Sequence, residues 1–164
     1  MHGDEHGPPP AARQSPSAGY MEQAFAAAAE AAAAGDVPVG AVLVEPSAGA
    51  IVAAAGNRVE RDRDPTAHAE MLVLRAGAAR LGTARLAGCD LYVTLEPCPM
   101  CAAAIALARI RRLYYGAADP KSGGVDHGPR IFDQPTCHHR PEVYGGIAER
   151  EAGVLLKRFF KERR

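Results

Sequence analysis

Two short segments of this chain carry side chains that bind metal and move protons. The first is His68-Ala69-Glu70, the second Pro97-Cys98-Pro99-Met100-Cys101. A catalytic zinc site needs three protein ligands and one position left open for water. His68, Cys98 and Cys101 fill the three places. Glu70 then stays off the metal and is free to carry protons. Zinc lowers the pKa of a bound water from about 16 to near 7, which gives hydroxide at neutral pH. Each half of the pattern has a plainer reading. Cys98-x-x-Cys101 alone suits a structural zinc half-site or a redox pair. A structural site wants a fourth ligand, for which Cys89, Cys137, His138 and His139 are of the right type. A redox pair leaves His68 and Glu70 without a task.

The ligands need helix starts to converge, and the flanking sequence supplies them. Thr66 is a good N-cap, so Glu70 falls in the first turns of a helix reaching Leu81. Leu91 to Leu95 reads as a strand that runs into Glu96-Pro97-Cys98. Pro99 opens a further helix, Met100 to Ala108, proline being favourable in a first turn. Two helix N-termini side by side also favour the thiolates that zinc requires.

The rest of the chain reads as scaffold. Residues 1–18 are rich in proline, serine and glycine without periodicity, and are expected to be a disordered leader to a zinc domain at 19–164. Tyr20 to Ala34 is alanine-dominated helix, stopped by Gly35-Asp36. Val37 to Glu45 is an apolar strand covered on both faces. Pro46 to Gly49 turns it into a second strand, Ala50 to Ala55. Gly56 to Pro65 is a charged loop. Leu113 to Gly116 and Glu142 to Tyr144 are short strands with a long polar segment, Asp119 to Arg140, between them. Glu149 to Arg164 is an amphipathic helix with Leu155, Leu156, Phe159 and Phe160 as its apolar face. This order implies an α/β sandwich with a mixed sheet, an antiparallel hairpin first and parallel crossovers after it.

Composition narrows the setting. The chain has 164 residues, 48% of them apolar, enough for one cored domain. No apolar run approaches the ~20 residues of a membrane span. No signal peptide is evident, so a cytoplasmic protein is expected and its four cysteines are not a disulfide framework. Lysine plus arginine equals aspartate plus glutamate at 19 each, so only a local basic patch can attract nucleic acid. One lies in the last helix. From Arg150 onward it has six basic residues (Arg150, Lys157, Arg158, Lys161, Arg163, Arg164) against Glu151 and Glu162. Cations beside aromatics suit a splayed single-stranded loop, although cations are also favoured at any helix C-terminus.

His-x-Glu followed by Pro-Cys-x-x-Cys is the signature of zinc nucleobase deaminases. The chain resembles the bacterial tRNA-specific adenosine deaminases of the cytidine-deaminase-like superfamily, from about Met21 to Arg164. The matching blocks are Val37 to Val44, Gly56-Asn57-Arg58, Asp64 to Glu70, Leu91 to Cys98, Asp119-Pro120-Lys121, His139-Arg140 and Phe159-Phe160. His138 stands where the family usually has asparagine, and residues 125–130 also depart from its commonest pattern.

The resemblance implies a three-layer α/β/α cytidine deaminase-like fold with a five-stranded mixed sheet, a homodimer, and one Zn2+ per subunit. It implies hydrolysis of adenosine to inosine at the wobble position of a tRNA anticodon stem-loop. It makes His68, Cys98 and Cys101 the zinc ligands and Glu70 the proton shuttle. It also places Asn57, Ala69, Asp119, Lys121, Phe160, Arg163 and Arg164 against substrate. Two alternatives remain at the level of sequence. One is a superfamily enzyme acting on a free base or nucleoside of the guanine or cytosine type. The other is a non-catalytic RNA-binding subunit with a structural zinc, in which Glu70 has no use.

Overall fold

The computed structural model describes residues 16–163, with side chains from Gly19. The expected leader, apart from its last three residues, and Arg164 at the far end lie outside the described residues. Five strands form one sheet in the order β2-β1-β3-β4-β5. β1 (Gly40–Glu45) pairs antiparallel with both β2 (Ala50–Gly56) and β3 (Asp90–Leu95). β4 (Arg112–Ala117) and β5 (Glu142–Tyr144) then continue parallel to β3. The mixed sheet has the expected hairpin at one side and parallel strands at the other.

Helices cover both faces. α1 (Pro16–Ala33) and α5 (Glu149–Glu162) pack on one side. α3 (Ala69–Leu81) and α4 (Pro99–Leu107) pack on the other. Strand alternation sorts the core between them. Ala41, Leu43, Leu91, Val93 and Leu113 face α3 and α4, whereas Val42, Val44, Tyr92 and Tyr114 face the α1 side. The alanines of α1 let it lie directly on β1. A Cβ at Gly40 would run into the Ala24 carbonyl and the Ala28 amide of that helix. On the same face four tyrosines form a row across the sheet. Tyr92 stacks on Tyr114 at 4.5 Å, Tyr114 on Tyr144 at 5.1 Å, and Tyr20 leans on Tyr92 at 5.3 Å between ring centroids.

Several boundaries differ from the sequence reading. α1 begins at Pro16, so residues 16–18 of the expected leader are helical. β1 begins at Gly40 rather than Val37, because it is flanked by strands on both sides and Pro38 has no N–H for a ladder. A single-turn helix, α2 (Val59–Asp62), interrupts the charged loop. Thr66 does not cap α3. Its backbone N–H and hydroxyl both donate to Asp64 Oδ1, at 2.8 and 2.7 Å, closing a turn before the helix starts. His68 takes the N-cap position instead. Phe160 leaves the apolar face of α5 and is exposed, while Phe159 is buried.

Candidate active site

The site lies where β3 ends and α3 and α4 begin, at the carboxyl end of the parallel strands, where open α/β sheets bind ligands. Both ligand-bearing helices carry at the N-cap a residue whose side chain caps nothing. His68 (φ −70°, ψ 148°) stands at the start of α3 and Cys98 (φ −69°, ψ 170°) at the start of α4, neither making a side-chain cap bond. Serine or aspartate there would be more stabilising. The imidazole and the thiol are instead turned toward each other. Pro99 at the first helical position then sets the turn that brings Cys101 to the same point.

His68 Nδ1 lies 3.5 Å from Cys98 Sγ and 3.5 Å from Cys101 Sγ. A tetrahedral zinc with ordinary Zn–N and Zn–S bonds has an N···S edge of about 3.6 Å, so the donor set fits that ion. Among the described residues these three are the one cluster of metal-ligand type. Electrostatics agree. The hydrogen bond from the Cys101 thiol, with help from the His68 ring, lowers the Cys98 pKa to about 4. Cys101 is pushed up by the same Cys98 contact and by burial. The Cys98 contact raises His68. One thiolate is therefore ready-made, and a divalent cation would release the second proton.

Glu70 is 4% exposed, in the first turn of α3. Burial raises its pKa, opposed by hydrogen bonds from its own backbone N–H and from Cys101. It shares a cavity of about 210 Å³ with His68, Cys98, Asn57, Ala69 and Asp119, closed on other sides by Val37, Val39 and Leu95. Asn57 lines the cavity and also shapes the turn beside it. Its Oδ1 accepts from Val59 N–H at 3.1 Å and so fixes the turn into α2, while among the described residues its Nδ2 has no partner. Asp36, fully buried, holds the far side of that turn by accepting from Glu60 N–H and Arg61 Nε, both at 2.7 Å.

A wider groove adjoins the cavity. Asp119, Lys121, Ser122, Lys157, Phe160 and Lys161 line it, and Val37, Leu95, Asp119 and Ser122 are shared with the cavity. Arg163 is not brought to this groove. Its guanidinium stacks on the Phe159 ring at 4.0 Å, on the side facing α1. The Cys137-His138-His139 run builds no metal site. Cys137 Sγ donates to the His139 carbonyl, and His139 Nε2 is 2.6 Å from the Ile110 carbonyl.

Sequence reasoning gave Glu96 no role of its own. It is a buried carboxylate on the cavity wall, gathering the backbone of the following loop. A carboxylate immediately after an apolar strand and before the cysteine motif was the available signal.

Residues 15–117 match the family described as the cytidine and deoxycytidylate deaminase zinc-binding region. The tRNA-specific adenosine deaminase of Agrobacterium fabrum is 56% identical over 145 residues, 88% of this chain and 94% of that protein. Its counterpart in Bacillus subtilis is 45% identical over 145 residues, covering 88% and 89%. A solved structure from work on A-to-I editing by tRNA:A34 deaminases superposes with a TM-score of 0.82 at 56% identity, covering 84% of this chain and 99% of that one. A guanine deaminase from Nitrosomonas europaea is more distant, with TM-score 0.75 and 25% identity over 87% of this chain and 83% of that one.

Proposed function

The chain belongs to the tRNA-specific adenosine deaminases within the cytidine and deoxycytidylate deaminase family, and from that premise we propose that it converts adenosine to inosine at the wobble position of a tRNA anticodon. The observation that carries this reading is the cluster of His68, Cys98 and Cys101, of which His68 and Cys98 line one cavity with buried Glu70, and that cavity adjoins a lysine- and phenylalanine-lined groove.

His68, Cys98 and Cys101 would hold zinc, one ion per subunit of a homodimer. When bound there, zinc supplies Lewis-acid activation of water. Glu70 removes a proton from the attacking water and delivers it to N1 of the adenine ring as the C6–O bond forms. It then takes the remaining proton from the new C6 hydroxyl and hands it to the amino group at C6, which leaves as ammonia as the C–N bond breaks and the C6 carbonyl forms. Its buried carboxyl, with pKa raised, holds a proton more readily than an exposed glutamate and is suited to both transfers. Asn57, on the cavity wall, would offer its Nδ2 to a base or ribose oxygen or nitrogen. Ala69 keeps the floor small. Asp119 stands at the mouth, and Lys121, Lys157 and Lys161 meet the phosphates that flank the extruded base. Phe160, 49% exposed, offers a face for stacking. Arg163 serves this surface indirectly, by bracing Phe159 beneath it. The enzyme acts in the cytoplasm, where its substrate is. Among the described residues no helix is long and apolar enough to cross a membrane.

The test is deamination of an arginine-type anticodon stem-loop carrying a wobble adenosine, beside free adenosine, cytidine and guanine. Inosine in the RNA alone supports the reading. Ammonia released only from a free base or nucleoside overturns it in favour of a small-molecule deaminase.

A further inference from the structure

The loop that follows β4 is wound around one carboxylate. Glu96 has a side chain with no solvent exposure, and it stands two residues before the Cys98 ligand. Its Oε1 accepts from Asp119 N–H at 3.2 Å and contacts His127 Nδ1 at 2.7 Å. Its Oε2 accepts from the backbone N–H groups of Val125, Asp126 and His127, at 3.3, 3.2 and 3.1 Å. A carboxylate is an acceptor only, so Nδ1 of His127 carries the proton in this contact. Asp126, the neighbour of His127, is tied separately by the Tyr115 hydroxyl of β4. Gly123 and Gly124 permit the winding. A Cβ on Gly123 would strike the Glu96 carboxylate, and one on Gly124 would strike Pro99 and Cys98.

The wound segment is a wall shared by two spaces. Asp119 and Ser122 line both the 210 Å³ cavity and the groove, and Lys121 lines the groove. The wall's position therefore sets the gap between the base pocket and the path of the flanking nucleotides. Oε1 is the oxygen that holds Asp119, and the His127 ring is the only other donor on it among the described residues. Three amides pull on Oε2. Without the ring, one 3.2 Å bond must hold Oε1 in place, and the carboxylate is free to turn toward the Oε2 cluster. The ring thus fixes the rotation of the carboxylate on which Asp119 hangs.

We propose that His127, latched to Glu96, is a positioning residue that holds the Asp119, Lys121 and Ser122 wall at the spacing an RNA substrate requires. The proposal rests on the tRNA reading above. It separates binding from chemistry, because the metal donors are set by the starts of α3 and α4, which His127 does not touch. The His127 side chain is 37% exposed, so shortening it opens no core cavity.

The experiment compares wild type, His127→Ala and His127→Asn on the anticodon stem-loop. Zinc content, thermal midpoint and amide hydrogen exchange are measured in parallel. Asparagine Nδ2 sits where imidazole Nδ1 sits and keeps the donor. His127→Ala should raise KM about tenfold, as for loss of a hydrogen bond to a charged group. Its kcat and zinc content should stay near wild type. Exchange at Asp119 to Ser122 should quicken while α4 stays protected, and His127→Asn should restore KM. Unchanged KM in His127→Ala overturns the latch. So does a joint loss of kcat, zinc and thermal stability, or an asparagine variant no better than alanine. A wild-type protein inert on the stem-loop overturns the tRNA reading instead. The latch then falls separately if exchange at Asp119 to Ser122 is unchanged in His127→Ala.

Discussion

In the proposed reaction Glu70 can carry protons because the chain buries it beside the candidate metal donors while leaving it outside their cluster. Replacing it with glutamine keeps size and hydrogen-bonding shape but removes proton transfer. Glu70→Gln should retain full zinc by metal analysis while inosine formation falls by about 10²–10⁴-fold, the range for a lost general acid–base group. Near-normal turnover in that variant would end the shuttle role. The grouping of His68, Cys98 and Cys101 with Glu70 close by was legible in the sequence because each half is a short motif with its own spacing, although the two halves lie 30 positions apart. Asn57 was half legible: its place beside Gly56 suggests a turn and the family resemblance suggests substrate, while the bond from Val59 N–H and the place on the cavity wall come from the fold. Glu96 and His127 were not assigned roles because neither belongs to a recognisable motif, and they acquire meaning only when the loop closes on β3. Asp36 is similar, since its partners Glu60 and Arg61 lie on a helical turn that composition alone reads as loop.

Among the elements, α4 ends on an unusual residue for its geometry. Ile110 N–H bonds to the Ile105 carbonyl and Arg109 N–H to the Ala106 carbonyl, the two bonds of a Schellman motif. The left-handed position is filled by Arg109 at φ 61°, where glycine is usual. Arg109→Gly should therefore stabilise the fold by about 0.5–1 kcal/mol. Denaturant unfolding would show it as a higher midpoint with an unchanged slope; a lower midpoint would mean that the arginine side chain contributes more than the strain costs. Apart from the single turn of α2, the helices were legible from composition and punctuation, α4 from Pro99 and α5 from its apolar stripe. The start of β1 was not, because Val37-Pro38-Val39 is as apolar as the strand itself. Only pairing on both sides of β1 makes Pro38 a stop. The cap of α3 was missed for a related reason, since Thr66 has the right chemistry but spends it on Asp64.

The whole molecule carries no net charge, with 19 basic and 19 acidic residues. RNA affinity must then come from the few cations that line the groove, and it should depend only mildly on salt. Three lysines at about 0.7 counterions each give a log–log slope of about −2 for the stem-loop, measured by titration across salt concentrations. Lys161→Ala should flatten it by about 0.7. A slope several times steeper would place the RNA on a different and more basic face. The tyrosine row has a consequence of another kind. The chain contains no tryptophan and five tyrosines, of which Tyr92, Tyr114 and Tyr144 are stacked and Tyr20 leans on Tyr92, across four elements. Ultraviolet emission and near-ultraviolet dichroism therefore arise chiefly from tyrosines, four of the five being in ring contact across the sheet, and the dichroism vanishes when side-chain packing is lost. The protein carries its own optical gauge of sheet integrity, readable without a label and free of overlap from an indole.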